Sequence, residues 1–294
     1  MLMNTKQEKV IVITGATSGI GLSTIKNLAK SRHFVIGIGR SGSLCRKLEG
    51  ELRNETENEN IYFITCNLAL QKNIEMLAEN IEELLLAKNI KRIDSLINNA
   101  GTVTTWFTST EEGHELQFAV NHLAPFYLTH KLLPFLKKSN DARIITVSSN
   151  SHKGAKISWN DIELRSSYNC LKAYKQSKLA NILFIYELNK ILSHHKNIRA
   201  YAVDPGLVKT DIGLKGTGGL EKYVWKLRMR GGVSPCVPAI TIKYLATENI
   251  SKHKDSLYWK DCKPARTSKY AQNAIYSGRL WSLSSKMCGI ESYL

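Results

Sequence analysis

The first apolar run of the chain, Lys9–Thr14, passes directly into Thr14-Gly15-Ala16-Thr17-Ser18-Gly19-Ile20-Gly21, where a helical pattern begins. No other segment constrains the fold as tightly. Glycine at 15 permits a tight exit from a strand, while Gly19 and Gly21 let a helix approach both the sheet and a ligand. The N-terminus of such a helix offers free N–H groups and a partial positive charge, which suit a pyrophosphate. Strand, turn and helix follow in the order that a dinucleotide-binding turn requires.

The alternation continues along the chain. Strand-like runs at Phe34–Ile38, Ile61–Thr65, Ile93–Ile97, Arg143–Val147 and Ile198–Val203 alternate with helical stretches near Leu44–Arg53, Asn73–Ala87, Glu112–Leu136 and Cys170–His194. A Gly/Lys-rich segment, Pro205–Gly232, then leads to a helix near Pro238–Ala246, a short strand Leu257–Trp259 and a last helix ending at about Met287. Strands apolar on both faces, each followed by a crossover helix, predict an α/β fold: a Rossmann-type doubly wound parallel sheet covered by helices on both faces. With no repeat and no convincing linker, residues 1–294 read as one domain. Ligands of such sheets bind beyond the carboxyl ends of the strands, where the strand order reverses.

Composition narrows the function classes. No apolar run approaches the roughly 18–20 residues of a membrane span, and Met1–Lys9 holds no apolar leader, so a cytoplasmic protein is expected. The six cysteines (Cys45, Cys66, Cys170, Cys236, Cys262 and Cys288) form no CxxC, and HExxH and Cys/His clusters are missing, so reduced thiols and no metal site are expected. The net charge of +16 is uneven, with 17 Lys or Arg against 7 Asp or Glu in residues 195–294. Nucleic acid, an anionic membrane or a phosphorylated ligand would suit such a balance. No nucleic-acid motif or aromatic-interleaved basic stripe is present, which directs attention to a cofactor phosphate.

The spacing Gly-xxx-Gly-x-Gly resembles the glycine turn of the short-chain dehydrogenase/reductase family, and further motifs follow in family order. They are Asn98-Asn99-Ala100-Gly101 after the fourth strand, Asn121 in VNHLAPFYLT, Ser148-Ser149 after the fifth strand, Tyr174-Lys175-Gln176-Ser177-Lys178, and Asp204-Pro205-Gly206-Leu207-Val208-Lys209-Thr210. The resemblance runs from about Lys9 to Thr210. SKLANILF, VNHLAPFYLTHKLLPFL and the interval from Ser149 to Tyr174 are most similar to the retinol dehydrogenase-like branch. Two positions depart from the family pattern: Asn67 stands for the usual Asp, and Asp204 for the usual His or Asn.

The resemblance implies a catalytic set of Asn121, Ser149, Tyr174 and Lys178. Four YxxxK pairs occur, at Tyr127/Lys131, Tyr168/Lys172, Tyr174/Lys178 and Tyr186/Lys190, and any of them places both groups on one helical face. Position early in the helix after the fifth strand selects Tyr174, with Tyr168 as its serious rival. A carbonyl reduction needs a hydride from the nicotinamide and a proton for the developing alkoxide. A tyrosine of pKa about 10 becomes a useful acid/base when an ammonium one turn away stabilises its phenolate. Ser149 would donate to the substrate oxygen, and Asn121 would hold a water of the proton relay. Ser148 leaves the strand in the opposite direction, and His122 and His152 read as structural histidines.

The same resemblance assigns cofactor contacts to Gly15, Thr17, Ser18, Gly19, Ile20, Gly21, Arg40, Ser41, Asn67, Leu68, Asn99, Ala100, Gly101, Tyr174, Lys178, Pro205, Gly206, Val208 and Thr210. Enzymes that prefer NAD place an acid at the end of the second strand. Here Ser31–Leu48 contains none, Gly39 takes the acidic position and Arg40 follows, so NADP(H) is expected. The expected activity is the interconversion of a small, apolar aldehyde or ketone and its alcohol. The rival is a nucleotide-binding interaction protein without turnover, and the turn spacing disfavours a sugar-nucleotide epimerase. A flexible substrate lid is expected over about 205–232, with a weak contact to anionic membrane surfaces, and helix-mediated pairing into a homo-oligomer is the family habit.

Overall fold

The computed structural model describes residues 8–209, 231–253 and 255–293. The chain alternates β1 (Val10–Thr14), α1 (Gly19–Ala29), β2 (Phe34–Gly39), α2 (Gly42–Thr56), β3 (Ile61–Thr65), α3 (Gln71–Ala87) and β4 (Ser95–Asn98). It continues through α4 (Leu116–Phe118), a π-helical turn (Ala119–Leu123), α5 (Ala124–Leu136), β5 (Ala142–Val147), α6 (Cys170–Ile191) and β6 (Ile198–Val203). A helix Cys236–Thr247, β7 (Tyr258–Lys260), β8 (Lys263–Pro264) and a last helix Ala274–Met287 complete the described strands and α-helices.

The sheet order is β3-β2-β1-β4-β5-β6-β7-β8, parallel throughout except for the antiparallel β7–β8 pair. Strand order therefore reverses between β1 and β4, which brings the turn after Thr14 beside the Asn98–Gly101 loop. The expected doubly wound fold is present, in one domain. VIVIT, FVIGIG and ARIITV are buried at every position, as central strands covered on both faces must be. At the sheet edge, β3 is fully buried only at Ile61.

One face of the sheet is covered by α3, α5, α6 and the last helix, around Leu77, Phe126, Leu132, Phe184 and Leu280. The other packs Ile25, Leu28, Ile242 and Leu245 of α1 and the Cys236–Thr247 helix against Ile13, Ile145 and Trp259. Among the described residues no helix is long and apolar enough to cross a membrane.

The helix expected from Glu112 begins only at Leu116, because the acids before it serve as caps. Glu115 accepts hydrogen bonds from the N–H groups of Gln117 and Phe118. Glu112 caps a different helix, accepting from Gln71 and Lys72 at the start of α3, where the aliphatic side chain of the cap residue Leu70 offers no acceptor. The helix after β5 ends at Ile191, followed by a 3-10 turn to His194. Strand β8, unforeseen, is a two-residue edge pairing. Of the expected lid, residues 210–230 lie outside the described residues. Its flanks are joined: Val233 N–H donates to the Leu207 carbonyl and Lys209 N–H to that of Val233, at 2.8 and 3.0 Å.

Candidate active site

Beyond the carboxyl ends of β1, β4, β5 and β6 lies a cleft of about 330 Å³. Gly15, Thr17, Ser18, Gly19 and Ile20 form one wall, with Arg40, Asn67, Leu68, Asn99, Ala100, Gly101, Pro205, Gly206 and Val208 around it. Glycine is required at two points of the turn. Gly15 adopts φ +65°, and a Cβ there would lie 2.9 Å from Ala100 Cα. Gly21 does not line the cleft: a Cβ at this position would stand 2.1 Å from the Gly15 carbonyl, so its bare backbone lets α1 close on the turn. The cap residue of α1, Ser18, is extended and makes no side-chain cap, which leaves the first-turn N–H groups open to a ligand.

Two polar side chains hold this turn against β4. Asn99 Nδ2 donates to the carbonyls of Thr14 and Gly15 at 2.9 and 3.2 Å, and Thr14 Oγ1 accepts from the N–H groups of Asn99 and Ala100, both at 3.0 Å. Asn99 thus supports the site through the backbone as well as lining it. Thr14 escaped the sequence reading because a strand-end threonine carries no distinguishing signal.

At the end of β2, a Cβ on Gly39 would meet Thr17 Cγ2 at 2.3 Å and Cys45 Sγ at 2.8 Å, so a side chain here would require those two to turn aside, and no carboxylate stands at this position. Arg40 is exposed, lines the cleft and forms none of the ion pairs among the described residues. Ser41 does not line the cleft; its hydroxyl caps α2 by accepting from Leu44 N–H. Asn67 is exposed at the rim, its Oδ1 accepting from Ala69 N–H. Thr210 lies outside the described residues. Glycine cradle, open helix N-terminus and unpaired arginine fit a nicotinamide dinucleotide.

Ser149, Tyr174 and Lys178 face the same cleft. Lys178 is buried, its ammonium donating to the Val147 carbonyl at 3.0 Å and lying 5.6 Å from the centre of the Tyr174 ring. Burial lowers its pKa to about 8. Ser148 turns inward, donating its hydroxyl to the Lys178 carbonyl at 2.7 Å, while Ser149 opens a short 3-10 turn, Asn150–His152, where its hydroxyl accepts from Ser151 N–H and donates to Ser151 Oγ, both at 3.1 Å. Adjacent serines thus diverge as strand geometry requires.

Asn121 stands one layer behind the cleft, in the π turn, where Ala124 N–H reaches back to the Ala119 carbonyl. Its Oδ1 accepts from Thr102 N–H at 2.7 Å, and its Nδ2 donates to the Thr102 carbonyl and Ser177 Oγ, both at 3.0 Å. Both amide N–H groups are thereby used within the protein, so the water-holding role expected of Asn121 does not fall to its Nδ2.

The rival tyrosines are engaged elsewhere. Tyr168 donates and accepts among Thr104, Glu115 and Gln117, with burial pushing its phenol up to about 12. Tyr127 donates to Glu75, and Tyr186 bonds Thr267. Asp204 proves to be a brace: its carboxylate accepts from Asn150 and Gly206 N–H at 3.1 and 3.0 Å, joining the loops after β5 and β6.

Residues 9–216 match the sequence model of the short chain dehydrogenases. The chain belongs to the short chain dehydrogenase family. It is 35% identical to retinol dehydrogenase 12 of Mus musculus over 283 residues, covering 96% of this chain and 87% of that protein. Polyprenol dehydrogenase of Homo sapiens is 30% identical over 297 residues, with 97% and 86% covered. Among solved structures, a putative uncharacterized protein from Mycobacterium Paratuberculosis superposes with a TM-score of 0.73 at 29% identity, over 96% of this chain and 94% of that one. This short chain dehydrogenase is accordingly an oxidoreductase of the retinol dehydrogenase-like type, interconverting carbonyl and alcohol with a nicotinamide cofactor.

Proposed function

We propose that the chain uses NADP(H) to interconvert an apolar aldehyde or ketone and its alcohol, with Tyr174 as the acid/base. The observation that carries this reading is the convergence of Ser149, Tyr174 and Lys178 on one cleft with the glycine turn. When bound, the nicotinamide supplies or accepts the hydride. The chain's own residues supply the rest. Lys178, held at one face of the Tyr174 ring, stabilises the phenolate and so brings the phenol toward working pH. Tyr174 delivers its proton to the oxygen that becomes the hydroxyl, and Ser149 donates a hydrogen bond to the same oxygen as negative charge develops. Asn121 acts at one remove, tying the Thr102 loop to α6.

The cofactor preference rests on the end of β2. With Gly39 at the position of the usual acid, no carboxylate there receives a ribose diol, while Arg40, which lines the cleft and joins none of the ion pairs among the described residues, is available to a 2′-phosphate. Leu116, Val120 and Leu207 supply apolar lining, in keeping with relatives named for the isoprenoid alcohols retinol and polyprenol. Steady-state rates over a panel of apolar aldehydes, retinal and farnesal included, should give a kcat/KM at least about tenfold higher with NADPH than with NADH. Arg40→Asp should reverse the order. A wild-type preference for NADH would overturn the cofactor assignment, and rates confined to polar sugars would overturn the substrate class.

A further inference from the structure

His152 ends the 3-10 turn that Ser149 begins, and its ring is wholly buried. Its Nδ1 lies 2.8 Å from the Ser149 carbonyl oxygen and its Nε2 lies 3.1 Å from the Ser268 amide nitrogen. A backbone amide only donates, so Nε2 must accept, and the ring proton must sit on Nδ1, where it is donated to Ser149. The imidazole is thus neutral and confined to one tautomer. Tyr258 packs edge-on against it at 5.2 Å. Burial, with the neighbouring Lys153, disfavours the protonated ring; the bond to the Ser149 carbonyl and Asp204 after β6 oppose them without prevailing.

We propose that His152 is the positioning residue of Ser149. The Ser149 carbonyl receives two bonds, from the His152 ring and from the His152 backbone N–H at 3.1 Å. The ring therefore fixes the peptide plane beside the Cα of Ser149, a cleft residue whose hydroxyl bonds Ser151 Oγ at 3.1 Å until a substrate oxygen takes that place. A donor that stabilises a transition state works only when held close to its productive position. Through Nε2 the same ring fastens this turn to Ser268, so the segment after β8 becomes part of the site's support.

The inference rests on the proposed role of Ser149 as hydrogen-bond donor to the substrate oxygen, and the test separates the two. His152→Asn places an amide N–H near the position of Nδ1 but gives up the acceptor for Ser268. His152→Gln reaches Ser268 but withdraws the donor from Ser149. With both variants folded, His152→Gln should lower kcat by about tenfold, the scale of one lost hydrogen bond, with the KM for NADPH unchanged. His152→Asn should keep most of kcat despite a similar loss of thermal stability. In a Ser149→Ala background, His152→Gln should lower kcat no further. Equal kcat losses in the Asn and Gln variants, or a loss persisting undiminished in Ser149→Ala, overturns the positioning role. If Ser149→Ala alone leaves kcat intact, the proposed role of Ser149 falls, and the inference with it. A readout free of any variant is the ¹⁵N spectrum of the wild-type ring, which should show a neutral Nδ1–H form at pH 7; an Nε2–H form contradicts the assignment.

Discussion

A phenol with a pKa of about 10 holds its proton too firmly to exchange it readily at neutral pH, and an ammonium out of water is costly to keep charged. Residues 174 and 178 set these two tendencies against each other. Burial lowers the Lys178 pKa to about 8, so below that pH it supplies positive charge beside the Tyr174 ring. Tyr174→Phe removes the transferable proton and little contact area. Turnover should fall by at least about 10³-fold while the NADPH Kd, read by fluorescence titration, stays within about twofold. The adjacent serines should separate in the same assays. Ser149→Ala, which also gives up the cap on Ser151 N–H, should lower kcat far more than its modest loss of stability accounts for, whereas Ser148→Ala, which deletes the buried bond to the Lys178 carbonyl, should lower stability first.

At the scale of elements, the glycine turn is a packing device before it is a ligand site. A methyl at Gly21 would stand 2.1 Å from the Gly15 carbonyl, backbone against backbone, and only movement of α1 could relieve it. Gly21→Ala should cost about 1–3 kcal/mol of stability and weaken NADPH binding by more than about tenfold, because the helix N-terminus moves with α1. Gly50, inside α2, has no atom within 4 Å of a Cβ. Gly50→Ala should instead stabilise by up to about 1 kcal/mol through helix propensity. Paired thermal melts with and without NADPH distinguish the two: the Gly50 variant should keep the full cofactor-induced rise, and the Gly21 variant should lose most of it.

Across the whole molecule, the last helix is fastened to the π turn by His122, whose Nε2 bonds Ser284 Oγ at 2.8 Å. Complete burial lowers the His122 pKa to about 4. Between the unfolded value of about 6.5 and that folded value, the unfolded chain binds the additional proton, so stability is full above pH 6.5 and is lost as pH falls toward 4. The integrated loss is about 3 kcal/mol for this one ring. His130 and His152, also lowered by burial, act in the same direction. His122→Gln, which cannot titrate, should be less stable at pH 7 yet show a shallower decline of the urea midpoint from pH 6.5 to 4. An unchanged acid slope would remove His122 as its source.

Order and type of the elements were legible in the sequence because strand runs apolar on both faces have few alternatives to a parallel sheet, and the TGxxxGxG turn constrains its backbone locally. Tyr174, Lys178, Ser149 and the lining glycines were legible through motif and spacing, since one helical turn or one strand end sets their relations. Contacts between distant segments were not. That Glu112 caps α3, that Asn121 spends its amide on Thr102 and Ser177, and that His152 links Ser149 to Ser268 depend on separations of up to 116 residues. No periodicity records such pairings, because a polar side chain's partner is chosen by the packing of whole elements. The sequence by itself determined a doubly wound sheet with a dinucleotide turn and a Tyr–Lys pair. Only the tertiary structure decided which tyrosine hydroxyls were engaged elsewhere, which serine turned inward and which side chains crowd Gly39, since each depends on atoms brought within a few ångströms by the closed fold.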